Sequence, residues 1–420
     1  MDIGMRTRLF SAAARGGGAL GAYSVASAAL IASALALTSW LSVRNYRALP
    51  RAEQPPGDAH TGKNGDAWPR VSVIVPARNE QRNLPRLLAS LTALEYPNYE
   101  VIVVDDGSTD ETAAIAGSYA ARSHARVRVL AAPNPEPGWT GKNAACAFGA
   151  AVADGDWLLF TDADTEHAAA SLRAAIHTAR SRHVSALSFF TQQECRSFWE
   201  RLLLPFAYQQ YFSGVRATRL LDPSAPALAN GQYFLISRSA YDASGGHSAV
   251  RGSLIDDVAL ATALKSAGYP PLPCRGERLV RVRMYHSLRE LIEGFTKNSF
   301  QFLREQRASA GLVVLGTACA AGLLPALIGA VLTGGTPAIA LCVGAYVIQV
   351  AGLAWWTRAF GVPARYALLA PVSALVFTGI AVSSLAHVAA RRPVHWKGRG
   401  YPTHSHPSPI ETAQERASVR

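Results

Sequence analysis

Between residues 71 and 164 the chain alternates short, almost wholly apolar runs with longer stretches of helical spacing. "VSVIVPA" and "YEVIVVDDGS" are continuous β-branched runs and read as strands buried on both faces. "ARVRVLAA" and "DWLLFTDAD" are expected to be a third and a fourth strand. The segments between them, "NEQRNLPRLLASLTAL", "TDETAAIAGSYAARS" and "KNAACAFGAAVA", carry helical spacing. The second places Thr109 or Asp110 near its N-cap and Glu111 in its first turn. Strands alternating with helices predict an α/β fold, a mostly parallel sheet with right-handed crossovers and helices on both faces. Ligands of such sheets lie beyond the carboxyl ends of the strands. The acids fall there: Asp105 and Asp106 after one run, Asp162 and Asp164 after another.

A second texture surrounds this one. Residues Gly16 to Leu41, Gly311 to Leu332, Pro337 to Trp356 and Tyr366 to Ala390 are apolar runs long enough to cross a bilayer as helices. The first does not read as a cleavable signal peptide, because its apolar core is too long and no small-residue cleavage site follows. The pattern divides the chain into an N-terminal transmembrane anchor (1–50), a linker rich in Pro, Gly and polar residues (51–70), an α/β domain (71–306), C-terminal transmembrane segments (307–392) and a polar tail (393–420). Two segments, "RSFWERLLLPFAYQQYFSGVRATRLL" and "HSLRELIEGFTKNSFQFLREQR", mix aromatic and basic residues and are expected to lie as helices in the membrane interface.

Composition supports the membrane. Hydrophobic residues make up 49% of the chain and charged residues only 17%. The net charge of +12 suits an anionic membrane surface. Nucleic acid is excluded as a partner, since no aromatic-basic motif of a nucleic-acid fold occurs. The five cysteines have neither metal nor redox spacing and read as free thiols in a reducing compartment.

Several residues carry candidate chemistry. Asp162 and Asp164, two apart at a strand end, point to one side by the period of two and can reach one Mg2+ or Mn2+, which also takes phosphate oxygens. Asp105 or Asp106 can accept from a base or ribose. Lys142 opens a helix, where ammonium and amide donors meet an anion. Each feature alone also has a plain structural reading, as a turn or a helix cap; the ordered set at successive strand ends is what points to a nucleotide-diphosphate ligand. Glu166 reads as solvated or as a first-turn residue.

"VSVIVPARNE", "VIVVDDGSTDET", "WTGKNAA", "FTDADTE" and "GSLIDDVALA" resemble, in order and spacing, family-2 glycosyltransferases of GT-A fold over about residues 70 to 300. The resemblance implies inverting transfer of a sugar from a nucleotide-sugar donor, a UDP-sugar in this reading. By the family pattern Pro76, Ala77, Asn79 and Glu80 lie by the nucleotide, Asp105 and Asp106 hold base and ribose, and Lys142 lies near the donor. Asp164, helped by Asp162, binds the metal. The pair Asp256 and Asp257 stands where the family has Glu-Asp, making Asp257 the expected general base; an N-cap is the alternative for either acid. "GGHSAVRGSLIDD", "VRMYHSLRELIEGFTKN" and "VHWKGRGY" are similar to the carotenoid-type, diaponeurosporenoate glycosyltransferases, and hopanoid-associated members are similar too. The Gln-x-x-Arg-Trp motif of processive members is absent, which implies a single transfer to a lipid acceptor whose site includes Gly245, Gly246 and His247. The alternative acceptors are a hopanoid, a polyprenyl phosphate or a glycolipid headgroup, and a catalytically inactive membrane scaffold is the remaining alternative.

The implied donor is cytosolic, so the catalytic domain is expected to face the cytoplasm from the inner membrane in a multi-pass protein. Arginines flank the first span on both sides (Arg6, Arg8 and Arg15; Arg44, Arg47 and Arg51), so charge does not orient it. Four full crossings place Arg391, Arg392, Lys397 and Arg399 outside, against the positive-inside rule. Either one run is re-entrant or interfacial, or the rule is broken.

Overall fold

The computed structural model describes residues 3–53, 67–122, 126–215, 217, 225–305, 307–333, 335–390, 394–396 and 399–401. Its contacts divide the chain into a helical unit (Met1–Arg47, Cys195–Val215, Phe302–Ser383) and an α/β unit (Ala48–Glu194, Arg216–Gln301, Ser384–Arg420). In chain order the elements are α1 (Ile3–Ala48), β1 (Val71–Ala77), α2 (Leu84–Thr92), β2 (Tyr99–Asp105), α3 (Thr112–Arg122), β3 (Val127–Ala131), α4 (Gly141–Ala151) and β4 (Trp157–Thr161). There follow β5 (Thr165–His167), α5 (Ser171–Ser181), β6 (Ala186–Phe190), β7 (Gln192–Gln193), α6 (Phe198–Gly214), β8 (Tyr233–Ser237), α7 (Arg238–Ala243), α8 (Gly246–Ala249) and α9 (Asp256–Ser266). The chain continues through β9 (Leu272–Arg275), β10 (Val280–Val282), α10 (Leu288–Glu305), α11 (Arg307–Leu332), α12 (Thr336–Ala359), α13 (Ala370–Ala389), β11 (Val394–Trp396) and β12 (Arg399–Tyr401).

In the α/β unit seven strands run in the order β3-β2-β1-β4-β8-β6-β9. β3, β2, β1 and β4 are parallel, as the alternation predicts. β8 is inserted antiparallel between β4 and β6, and β6 and β9 are again parallel. The sheet is therefore mixed and mostly parallel. β5, β10 and β7 form a small second sheet beside it. β1 and β2 are apolar on both sides because helices cover both: Val73, Val75 and Leu159 pack with Leu84, Leu87 and Leu88 of α2, while Ile74, Ile102 and Leu158 pack with Ala145 and Cys146 of α4.

α4 approaches the sheet through Gly149. A Cβ there would stand 2.7 Å from Ile74 Cγ2 and 3.0 Å from Val104 Cγ2. Gly149→Leu should therefore lower the stability of the α/β unit by about 1–3 kcal/mol, read as a lowered melting temperature of the detergent-solubilised protein.

Two expectations shift. α2 begins at Leu84, with Pro85 in its first turn, later than the helical spacing starts. β4 ends at Thr161, so Asp162 and Asp164 lie in the turn to β5 rather than on a strand. The two-residue period does not apply there; the turn is closed by the Thr165 hydroxyl donating to the Asp162 carbonyl at 2.8 Å.

Of the expected linker, residues 54–66 lie outside the described residues, and both flanks are docked. Arg51 bridges to Arg275 at the β9 edge, the Ala52 amide donates to the Arg275 carbonyl at 3.2 Å, and Trp68 is buried against Tyr96. Arg391, Arg392, Lys397 and tail residues 402–420 also lie outside the described residues, while β11 and β12 pair as a hairpin.

Among the described residues four helical stretches are long and apolar enough to cross a membrane: Ala22–Ala48, Ala310–Leu332, Thr336–Ala359 and Ala364–Ser384. The four apolar runs of the sequence are these. α6, expected to lie in the membrane interface, is packed against other helices. It is buried within the helical unit: Leu203, Phe206 and Phe212 are inaccessible, and Phe212 stacks on Trp356 with centroids 5.4 Å apart. The Trp356 indole donates to Ser42 Oγ at 3.0 Å, and Asn45 Nδ2 donates to the Phe212 carbonyl at 2.9 Å. The cause is that α6 is apolar around its whole circumference; one apolar stripe suits an interface, and an all-round apolar surface suits a core.

Candidate active site

All candidate residues belong to the α/β unit. The register pairs Ala77 with Asp105 and Ile74 with Phe160. Ala77 thus has Asp105 on one side and the Asp162–Asp164 turn on the other, at the carboxyl end of the sheet. Pro76, Phe160, Thr161, Asp162, Lys142 and Gly231 line one small cavity there together with Asp256, Asp257 and His247.

The residues expected beside the nucleotide hold each other. Asn79, in the left-handed region (φ +53°), accepts the Thr109 amide on Oδ1 at 2.8 Å. Asp105 Oδ1 accepts from the Ser108 hydroxyl at 2.5 Å and from the Ser108 amide at 3.2 Å. Buried Asp106 lies 4.0 Å from Arg78, whose guanidinium donates to the Asp106 carbonyl at 2.6 Å. Glu80 Oε2 accepts from Asn83 Nδ2 at 2.8 Å. Of the two caps expected before α3, Asp110 is the one that bonds: its Oδ1 accepts the Thr112 amide at 3.0 Å. Glu111 precedes the helix rather than lying in its first turn.

Lys142 joins the two acid sites. Thr140 caps α4 by accepting the Asn143 amide, and in the first turn the Lys142 ammonium lies 2.9 Å from Asp162 and 3.0 Å from Asp256. Burial opposes its charge, and the two carboxylates more than offset that, so its pKa stands well above the ordinary 10.5. Burial likewise works against the Asp256 carboxylate, but Lys142 holds its pKa below the usual value. Asp257 goes the other way: burial and the neighbouring Asp256 raise it to about 6, against Lys142 and amide bonds from Gly231 at 2.8 Å and Val258 at 2.8 Å. Neither acid is the N-cap; Ile255 holds that position without a side-chain bond, and both acids sit in the first turn of α9.

Asn143, which is inaccessible, carries no signal in the sequence. Its Nδ2 donates to the carbonyls of Val250, Arg251 and Ser253 at 2.8–3.1 Å, fastening to α4 the loop that delivers Asp256 and Asp257. Glu166 is half-exposed and is not in a helix. It lies in β5 and, with Glu194, binds Arg86, whose Nε donates to Glu166 Oε2 at 2.9 Å.

Gly246 and His247 are buried, and His247 lines the cavity. A Cβ on Gly246 (φ +52°) would meet the Tyr241 ring at 2.4 Å. His247 Nδ1 lies 3.0 Å from the Tyr241 hydroxyl, its ring stands edge-on to Phe160, and burial lowers its pKa to about 4. His247 thus lies on the same cavity as Asp256 and Asp257. Elsewhere on the donor side, His286 lies with Nε2 3.2 Å from Asn83 Oδ1.

Among the described residues no group of three or more His, Cys, Asp or Glu is placed to hold a metal ion. What the turn offers is a pair of carboxylates, Asp162 and Asp164, one of which already receives a cationic group in Lys142. That set fits Mg2+ or Mn2+, which takes one or two protein carboxylates and completes its shell with phosphate and water.

Residues 72–245 match the family described as Glycosyl transferase family 2. The chain is 31% identical over 242 residues to a 4,4'-diaponeurosporenoate glycosyltransferase of Staphylococcus haemolyticus, covering 56% of this chain and 62% of that one. It is 30% identical over 234 residues to the enzyme of the same name from Staphylococcus aureus strain USA300, covering 54% and 60%. The chain thus spans a little under two thirds of the length of these relatives. Among solved structures it is similar to the mannosyltransferase PcManGT from Pyrobaculum calidifontis in complex with GDP-Man and Mn2+, with a TM-score of 0.52 and 22% identity over 85% of this chain and 99% of that one. The fold is GT-A.

Proposed function

We propose that the family-2 glycosyltransferase domain of this chain transfers a single sugar, with inversion, from a nucleotide-sugar donor to a lipid acceptor at the cytoplasmic face of the inner membrane. The observation that carries this reading is the row of charges Asp162, Lys142, Asp256 and Asp257 beyond the sheet's carboxyl end, with Asp257 pushed up to about 6 and Asp256 held ionised. Similarity to the diaponeurosporenoate enzymes favours a carotenoid-like or other isoprenoid acceptor, and the four apolar helices suit a membrane-borne enzyme whose acceptor is a lipid.

Asp105 and Asp106, with Ala77, Asn79 and Glu80, would hold the nucleoside, UDP in this reading. Asp257 removes the acceptor proton as the acceptor oxygen bonds to the anomeric carbon and the bond to the diphosphate breaks. Attack from the face opposite the leaving group inverts the anomeric centre. Asp164 and Asp162 would hold Mg2+ or Mn2+, which neutralises charge on the departing diphosphate. Asp256 and Lys142 keep the two sides in register.

Membranes carrying the protein, given nucleotide sugars labelled in the sugar, should move label into the organic-extractable fraction. Chelation of divalent cations should cut that by at least about tenfold, with recovery on adding Mn2+. Label that stays water-soluble with every donor tried would overturn the reading.

A further inference from the structure

We propose that His167 is a positioning residue that ties the Asp162–Asp164 turn to the loop supporting Asp257, through one imidazole N–H shared by two threonines. The inference rests on the reading of Asp257 as the base and of the turn as the donor side.

His167, Thr161 and Thr165 are all buried, at 5%, 1% and 1% exposure. His167 Nε2 lies 3.1 Å from both threonine hydroxyls. Each hydroxyl has one proton, and each has a better use for it: Thr165 donates to the Asp162 carbonyl at 2.8 Å and Thr161 donates to the Gln232 carbonyl at 2.8 Å. Both hydroxyls are therefore acceptors toward the ring, so Nε2 carries the hydrogen and the imidazole is the neutral Nε2–H form. The ring amine is a single donor clamping two oxygens.

The two threonines lead to opposite sides of the site. The Asp162 carbonyl belongs to the turn whose carboxylates face the donor. The Gln232 carbonyl belongs to the loop whose preceding residue, Gly231, donates its amide to Asp257 Oδ2 at 2.8 Å. The Gly231 backbone packs closely on Asp257, since a Cβ there would stand 3.2 Å from the Asp257 Cβ. His167 is itself fixed by its amide, which donates to Ser90 Oγ at 3.0 Å from α2. A shift at His167 thus moves the donor-side carboxylates and the base relative to each other, although the ring touches neither.

The two arms are separable. Thr161→Val cuts the arm to Asp257 and should lower kcat roughly 5- to 10-fold with the donor KM little changed. Thr165→Val cuts the arm to the turn and should raise the donor KM by a similar factor with kcat less affected. His167→Leu should do both. Thr161→Ser and Thr165→Ser keep the hydroxyls and should restore both constants. The measurement is donor-saturation kinetics in membranes, with each rate divided by the amount of protein recovered folded after detergent extraction. If both valine variants move the same constant, or the serine variants behave as the valine ones, the positioning role is overturned; if His167→Leu does not fold, the threonine pair decides alone. Asp257→Asn is run beside them. Normal turnover in that variant would overturn the functional reading, whereas a dead Asp257→Asn with unseparated threonine variants would overturn only the role of His167.

Discussion

Asp257→Asn should lower sugar transfer about 10²- to 10⁴-fold while the protein accumulates and melts as the parent does. Asparagine keeps one oxygen to accept the Gly231 amide, so that loop contact at 2.8 Å survives; what is lost is the proton acceptor and the oxygen that receives the Val258 amide at 2.8 Å. Two effects on stability then oppose one another. The folded pKa of about 6 stands above the ordinary 3.8, so the fold favours the protonated form, and ionising Asp257 costs stability as pH rises through 6. An uncharged asparagine avoids that cost, which offsets the loss of the acceptor for the Val258 amide, so above pH 6 the variant should melt close to the parent. The same pKa sets the parent's acid limb: kcat/KM should rise about tenfold per pH unit below about 6 and level off above it, because the base works only when ionised. A parent profile flat between pH 5 and 8, or an Asp257→Asn variant with normal turnover, would remove Asp257 from the base role.

Much of this site is legible in the sequence. Acids that close apolar runs stand out because nothing else ends a buried strand so abruptly, and Asp105, Asp106, Asp162 and Asp164 announce themselves that way. The parallel half of the sheet is legible because its order follows local strand–helix alternation. The antiparallel insertion of β8 between β4 and β6 is not, since it depends on strand partners roughly 46 to 80 residues apart in sequence. α6 misleads because its arginines and aromatics look amphipathic as composition, whereas the apolar positions circle the helix. The ion pair of Glu166 is not legible in sequence because its partner, Arg86, is 80 residues away. Asn143, Thr161, Thr165 and His167 carry no signal: small polar residues in apolar surroundings acquire roles only from the carbonyls that the fold brings to them. Lys142 reads as a ligand for an anion, and its two acidic partners come from segments about 20 and 114 residues later, which spacing does not reveal.

Lys142→Met should damage both the stability and the activity that the charge row supports. Methionine matches the length of the lysine stem, so α4 and its Thr140 cap should form as before. The loss is the ammonium between Asp162 and Asp256. Lys142 titrates above its ordinary 10.5 and Asp256 below its ordinary 3.8, so their mutual stabilisation is fully present from about pH 4 to 10 and does not vary across any assay range. Removing the lysine changes that. Asp256 and Asp257 are then adjacent carboxylates without their nearest counter-charge, and both pKa values move up. The variant should lose about 1–3 kcal/mol at neutral pH, after allowance for the solvent that reaches the lysine. The loss should grow as pH rises from 5 to 8, a dependence the parent pair lacks. Activity should fall at least about 100-fold at pH 7, with the acid limb displaced upward from about 6, because Asp257 loses the cation that lowers it. The check is a melting series over pH 5–8 beside a kcat/KM profile for parent and variant. The double variant Lys142→Met, Asp256→Asn supplies the control: with one carboxylate neutralised the pH-dependent destabilisation should vanish, and the acid limb should return toward that of the parent. An unchanged acid limb in the single variant would mean that Lys142 does not set the charge state of the base.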